Sequence, residues 1–268
     1  MPTSAKATAS NVSSSKPVQI LARGGYAANG VLHILIGFLA ISVAWGGGGN
    51  ADQSGALGAV AANPGGVVLL WLMTVGLFAL ALWSVTQAFL ATESDTKKLW
   101  AERAKDVGKA IAYGAIGATA LRFAMGGGGG SGDQDAQSLS AQLLQSPFGV
   151  VALVVVALGI LAIGVYFIVK GARKKFLEDI VPPSGKAGRA TQLTGMVGYI
   201  AKGVALIVVG ILFGVAAVTS DASRTAGLDG ALKSLVELPF GPVILTAVGL
   251  GFIAYGVYSF VRARRAKL

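Results

Sequence analysis

Residues 146–170 read SPFGVVALVVVALGILAIGVYFIVK, a turn marked by Ser146 and Pro147, then an uncharged apolar run that ends on Lys170. A helix rises 1.5 Å per residue, so about 20 apolar residues cover the roughly 30 Å hydrocarbon core of a bilayer. The stretch therefore predicts a membrane-crossing helix. Two other stretches align with its start without gaps: Asn63-Pro64-Gly65-Gly66 and Leu238-Pro239-Phe240-Gly241. Twelve residues beyond each proline stands a glycine (Gly76, Gly159, Gly251), and nineteen beyond it an aromatic (Trp83, Tyr166, Tyr258). Twenty-three beyond it stands Gln87, Lys170 or Arg262. Proline is tolerated where a helix begins, which marks re-entry into the bilayer. Each glycine is expected at a close helix crossing, each aromatic at the inner interface, and each long polar side chain reaching inner headgroups.

Working outward, further runs of the same length appear at 26–45, 66–90, 107–125, 195–218 and 241–261, making six with 148–170. The run 107–125 is the weakest, being short, alanine-rich and carrying Arg122. Residues 26–45 do not read as a cleaved signal, despite the small residues Ser42-Val43-Ala44, because the polar region ahead is long and the segment recurs twice downstream. The odd-numbered runs correspond through Gly30, Ala110 and Gly203 and through Gly37, Gly117 and Gly210. Before each proline lies a short amphipathic stretch: Leu57 and Val60; Leu139, Leu143 and Leu144; Leu232, Leu235 and Val236. Each predicts a short helix lying on the outer surface. The expected fold is thus all-α and polytopic, six transmembrane helices as three tandem two-helix repeats in a bundle. A disordered cytoplasmic tail is expected over 1–19, with repeats over 20–92, 103–175 and 189–265.

Orientation follows from the basic residues. Lys6, Lys16 and Arg23, then Lys97, Lys98, Arg103 and Lys105, then Arg173, Lys174, Lys175, Lys186 and Arg189, and finally Arg262, Arg264, Arg265 and Lys267 occupy alternate connections. Positive charge is retained on the cytoplasmic side, which places both termini there in a cell membrane. The remaining connections hold Asp52, then Asp133 and Asp135, then Asp221, Asp229 and Glu237, and are expected outside.

Composition narrows the chemistry. The chain has 268 residues, 54% hydrophobic and 13% charged, with a net charge of +10, no cysteine and one histidine. Disulfides, thiolate nucleophiles and cysteine-held clusters are excluded, as is a multi-histidine metal site within one chain, so no cofactor is expected. The positive charge sits beside apolar runs, which favours anionic lipid headgroups as partners over nucleic acid. The glycine runs 46–49 and 126–130 lack the following Gly-Lys-Ser/Thr of a phosphate loop and read as outer loops.

The triplicated unit of small-residue-rich odd helix, glycine-rich outer loop, short apolar stretch, proline and even helix resembles domain-of-unknown-function family 1206, membrane proteins of actinobacteria and some other bacteria. The resemblance covers roughly residues 20–265; the third unit lacks the glycine run in its loop 219–230. It implies the fold and no activity.

Five polar residues inside the runs are candidate sites. Asn29, Lys109 and Lys202 share a repeat position near the inner boundary. They read either as snorkelling to headgroups or, if odd helices face a pseudo-threefold axis, as the ring of an inward-facing cavity for an anion or lipid phosphate. His33, matched by Tyr113 and Leu206, reads as an interhelical hydrogen-bonding residue or a proton relay. Arg122 lies near the outer interface, within reach of Asp133 or Asp135 or of a substrate. No membrane-embedded Asp or Glu accompanies His33, no carboxylate pair stands at membrane depth, and no serine is paired with a base. The expectation is a non-enzymatic accessory or interaction protein, with another membrane protein or a second copy as partner. The alternative is a transporter or lipid- or anion-binding protein built on the threefold cavity.

Overall fold

A computed structural model describes residues 16–91, 96–128 and 130–267. Residues 1–15, most of the expected tail, lie outside them. The described residues form nine α-helices and no strand: α1 (Lys16–Ala44), α2 (Gln53–Ala61), α3 (Gly66–Leu90), α4 (Thr96–Ala124), α5 (Gly132–Leu144), α6 (Gly149–Ala172), α7 (Gly185–Thr219), α8 (Leu228–Val236) and α9 (Gly241–Arg265). Helix α1 begins at Lys16, inside the stretch expected as tail.

Five helices are long and apolar enough to cross a membrane: Ala22–Ala44 of α1, and α3, α6, α7 and α9. The sixth expected run, 107–125, is not among them. The third run forms a 29-residue helix, α4, but its many alanines and its charges Lys105, Lys109 and Arg122 keep it below that apolarity.

The proline turns also differ from expectation. Each helix starts two residues after its proline, which occupies the second position of a β-turn closed by Gly66 N–H to Asn63 C=O (2.9 Å), Gly149 N–H to Ser146 C=O (2.9 Å) and Gly241 N–H to Leu238 C=O (2.8 Å). The closing glycine has a steric cause. A Cβ at Gly66 would stand 1.7 Å from the carbonyl oxygen of Val60, one at Gly149 1.8 Å from that of Leu143, and one at Gly241 2.2 Å from that of Val236. Each apolar helix therefore starts against the last turn of the short outer helix before it.

The odd helices end alike. Gly47 N–H reaches Ser42 C=O, Gly127 N–H reaches Arg122 C=O and Asp221 N–H reaches Ala216 C=O, five residues back in each case. This closure places Gly46, Gly126 and Ser220 at positive φ. The third repeat makes the same turn with Ser220 in place of that glycine.

The chain divides into two compact units. The first comprises Met1–Asn29, Val60–Gly128 and Ser259–Leu268. Here α3 packs on α4, and Gly25 of α1 lies against Gly76, whose Cβ would be 3.0 Å from the Gly25 Cα. Ala22, Tyr26, Leu80, Trp83, Ala263 and Ala266 form its core. The second comprises Gly30–Ala59 and Gly129–Tyr258. In it α6 meets α7 at Gly164 and Gly203, and α9 meets α1 at Gly249 with Gly37 and at Gly256 with Gly30 and Ile34. These glycine crossings of the second unit join the even helix of one repeat to the odd helix of another.

Candidate functional site

The three outer connections contain the short helices α2, α5 and α8, and their aspartates interlock them within the second unit. Asp52, ahead of α2, accepts from the Gly132 N–H that opens α5 (2.9 Å). Asp133, in the first turn of α5, accepts from Gly230 N–H in α8 (3.1 Å). Asp229, in the first turn of α8, accepts from Ala51 N–H at the entrance to α2 (2.7 Å). The order is cyclic, each repeat's carboxylate holding the start of the next repeat's outer helix. Helix starts carry unpaired N–H groups and partial positive charge, so a carboxylate is the side chain best suited there. Asp52 also accepts from Gly55 N–H (2.8 Å), and Asp229 pairs with Lys233 (2.6 Å). Close backbone approach completes the belt, since a Cβ at Gly227 would lie 2.7 Å from the Gly132 carbonyl carbon. In α5 the buried positions are Ala136 and Ser140, Leu143 and Leu144 pack against Leu153, Ala216 and Ala217, and Leu139 alone of the three expected leucines is exposed.

Asp52 and Asp229 are almost fully buried, at 1% and 2% exposure. Burial raises the Asp52 carboxyl above its ordinary 3.8, the Gly55 and Gly132 N–H groups pull it down in part, and the charges of Asp229 and Asp133 add to the rise. A raised acid binds its proton more readily in the folded chain, so this contribution to stability is full below about pH 3.8 and is lost as pH rises through the folded value. Exposed Asp221 titrates in the opposite sense: hydrogen bonds from the Ser223 hydroxyl and N–H hold it below 3.8, so its contribution is lost only at more acid pH. The expected result is that wild type gains thermal stability relative to Asp52→Asn as the pH is lowered from 7 toward 4. Paired melting curves in detergent check this; a difference independent of pH contradicts it.

At the other end of the second unit lies an aromatic cluster. Tyr199 stacks on Phe176 (5.4 Å) and meets Tyr255 edge-on (5.2 Å), and the Tyr258 hydroxyl donates to the Phe176 carbonyl (2.9 Å). His33 is buried beside Tyr255 (4.6 Å) and Phe252 (5.9 Å). Lys202 places its ammonium over the rings of Tyr255 (4.6 Å) and Phe167 (5.4 Å), and Lys170 pairs with Asp179 (2.7 Å). Contacts of cations with ring faces hold charge in apolar surroundings.

In the first unit, Asn29 is buried and Lys109 pairs with Asp106 (2.7 Å). Arg122 is exposed, and its carbonyl accepts the Gly127 N–H that ends α4. Of the three glycines expected at crossings, Gly76 faces Gly25 and a Cβ at Gly251 would meet the Ala201 Cβ at 2.2 Å, but a Cβ at Gly159 would meet nothing within 4 Å. Trp83 and Tyr258 are buried in the helix packing, while Tyr166 is exposed. Among the described residues, no three His, Cys, Asp or Glu side chains group as a metal site.

Sequence reasoning took the outer aspartates as marks of an outward loop, and Asp133 or Asp135 as a partner for Arg122. They stand twelve, fourteen and ten residues before their prolines, so a gap-free alignment does not superpose them.

The fold and these contacts define a helical membrane protein made of three tandem repeats. The chain belongs to the family described as Domain of Unknown Function (DUF1206), which matches residues 24–91, 105–174 and 197–266. It is also 32% identical over 246 residues to the uncharacterized protein YxxB of Bacillus subtilis (strain 168), covering 90% of this chain and 88% of that protein. No solved structure matches.

Proposed function

We propose that the chain is a non-enzymatic accessory protein of the cytoplasmic membrane that holds a membrane partner, either another protein or a second copy, through its intramembrane surface. In this reading α4 supplies a sixth span, less apolar than the others, and both tails face the cytoplasm. The observation that carries it is the condition of α6. Only 17% of its apolar window is buried, against 39–50% in the other four spans. Its exposed side presents Val151, Val155, Leu158 and Ile163, with Gly159 open between them. Small residues flanked by branched apolar ones are the surface on which transmembrane helices associate. The ionisable groups support the same reading, since Lys109, Lys170 and Lys202 each engage structural partners and the outer aspartates are used in joining loops. The threefold anion cavity gains no comparable support.

Photoreactive residues placed at Val155 and, as a control, at Phe38 of α1 test the role in native membranes. A discrete protein adduct from Val155 is expected; lipid adducts alone from both positions contradict the partner. Labelling of engineered cysteines in the two tails tests the orientation separately, and opposite faces would contradict six spans.

A further inference from the structure

In the first unit, α3 and α4 enclose a lateral groove of about 540 Å³. Val85, Ala88 and Phe89 form one wall and Trp100, Arg103, Val107 and Ile111 the other. The lining is apolar along its length except for Arg103. The Arg103 guanidinium lies 5.6 Å from the Trp100 ring centre. Its Nε is buried with no hydrogen-bond partner among the described residues. A buried donor left unpaired is costly, and a guanidinium fork fits phosphate oxygens in a way an ammonium does not. Its helix carries Lys97, Lys98 and Lys105 at the same end against Glu102, and Asp106 is engaged by Lys109. Tryptophan and arginine at one end of an apolar channel are the two side chains that favour a headgroup layer.

We propose that this groove is a binding site for one anionic glycerophospholipid, with an acyl chain along Val85, Phe89, Val107 and Ile111 and the phosphate on Arg103. The groove is open along one side, its walls are apolar and its polar contact lies at one end, as an amphiphile requires. The proposal rests on the membrane placement of α3 and α4 and is independent of a partner on α6, because lipid retention is read without any cross-link.

The test is native mass spectrometry of the full chain released from detergent carrying equal phosphatidylglycerol and phosphatidylcholine of matched chains. Wild type is expected to retain phosphatidylglycerol about tenfold over phosphatidylcholine, because both offer a phosphate to Arg103 but the choline ammonium brings a like charge beside the guanidinium. Arg103→Gln should bring the ratio to about one, Arg103→Lys should restore part of it, and Lys186→Gln should leave it as in wild type. Short-chain phosphatidylglycerol should be retained poorly, because the groove supplies the rest of the binding. A wild-type ratio near one, an unchanged ratio in Arg103→Gln, or displacement of the lipid by excess inorganic phosphate would each overturn the proposal.

Discussion

Gly203→Val is expected to separate α6 from α7 and to lower the melting temperature of the purified chain by several degrees. At this crossing a Cβ on Gly203 would lie 2.6 Å from the Gly164 carbonyl oxygen and 2.9 Å from the Ile168 backbone nitrogen. Both atoms belong to the opposing backbone, so no side-chain rotation relieves the clash and the helices themselves must move. Overpacking of this kind costs about 1–3 kcal/mol and more where backbone is displaced. The reciprocal change, Gly164→Val, should behave alike, because its Cβ would stand 2.9 Å from the Gly203 carbonyl oxygen. Gly159→Val is the internal control. It lies on the same helix in open space, so it should leave the melting temperature within about a degree of wild type. Equal losses for Gly159→Val and Gly203→Val would show that glycine content, and not the crossing, governs stability.

That crossing shows how far the sequence alone carries the fold. Hydropathy and the proline register reveal the repeats because apolar length and turn chemistry are local properties. Which helix touches which is set by a few close approaches between distant residues. Gly30 and Gly203 match in sequence, but the glycines they meet, Gly256 and Gly164, stand seventeen residues after their prolines, where the first repeat has Ala81. Two of three repeats share that position, too few to mark it by self-comparison. Within a repeat, Gly25 meets Gly76 and Leu80, and Gly198 meets Tyr255, whereas the corresponding residue of the second repeat is Lys105. A lysine cannot fill a glycine crossing, and Gly159, the second repeat's counterpart of Gly76, is the glycine left open. The candidate cations were legible as residue types. The rings that take up Lys202 lie on other helices and do not follow from spacing, whereas Asp106, three residues before Lys109 on one helix, is a pairing that helical spacing allows.

The largest effect outside the apolar helices is expected at Asp229. Its carboxylate is buried at the centre of the belt and accepts from Ala51 N–H and from Lys233. In Asp229→Ala the Ala51 N–H loses its acceptor, and Ala51 is itself fully buried, so water does not replace the bond without opening the loop. An unpaired buried donor together with a lost helix-start contact costs about 2–3 kcal/mol. Lys233 adds little, because its side chain is nearly half exposed. The cyclic order gives the loss a direction that a general weakening would lack. Asp229→Ala should raise amide exchange at the start of α2, Asp52→Ala at the start of α5, and Asp133→Ala in the first turn of α8, each in the repeat that follows the altered one. Hydrogen–deuterium exchange resolved by peptide reads all three. Were each substitution to loosen its own outer helix and spare the next, the carboxylates would be local caps, and the belt would not be what joins the three outer loops.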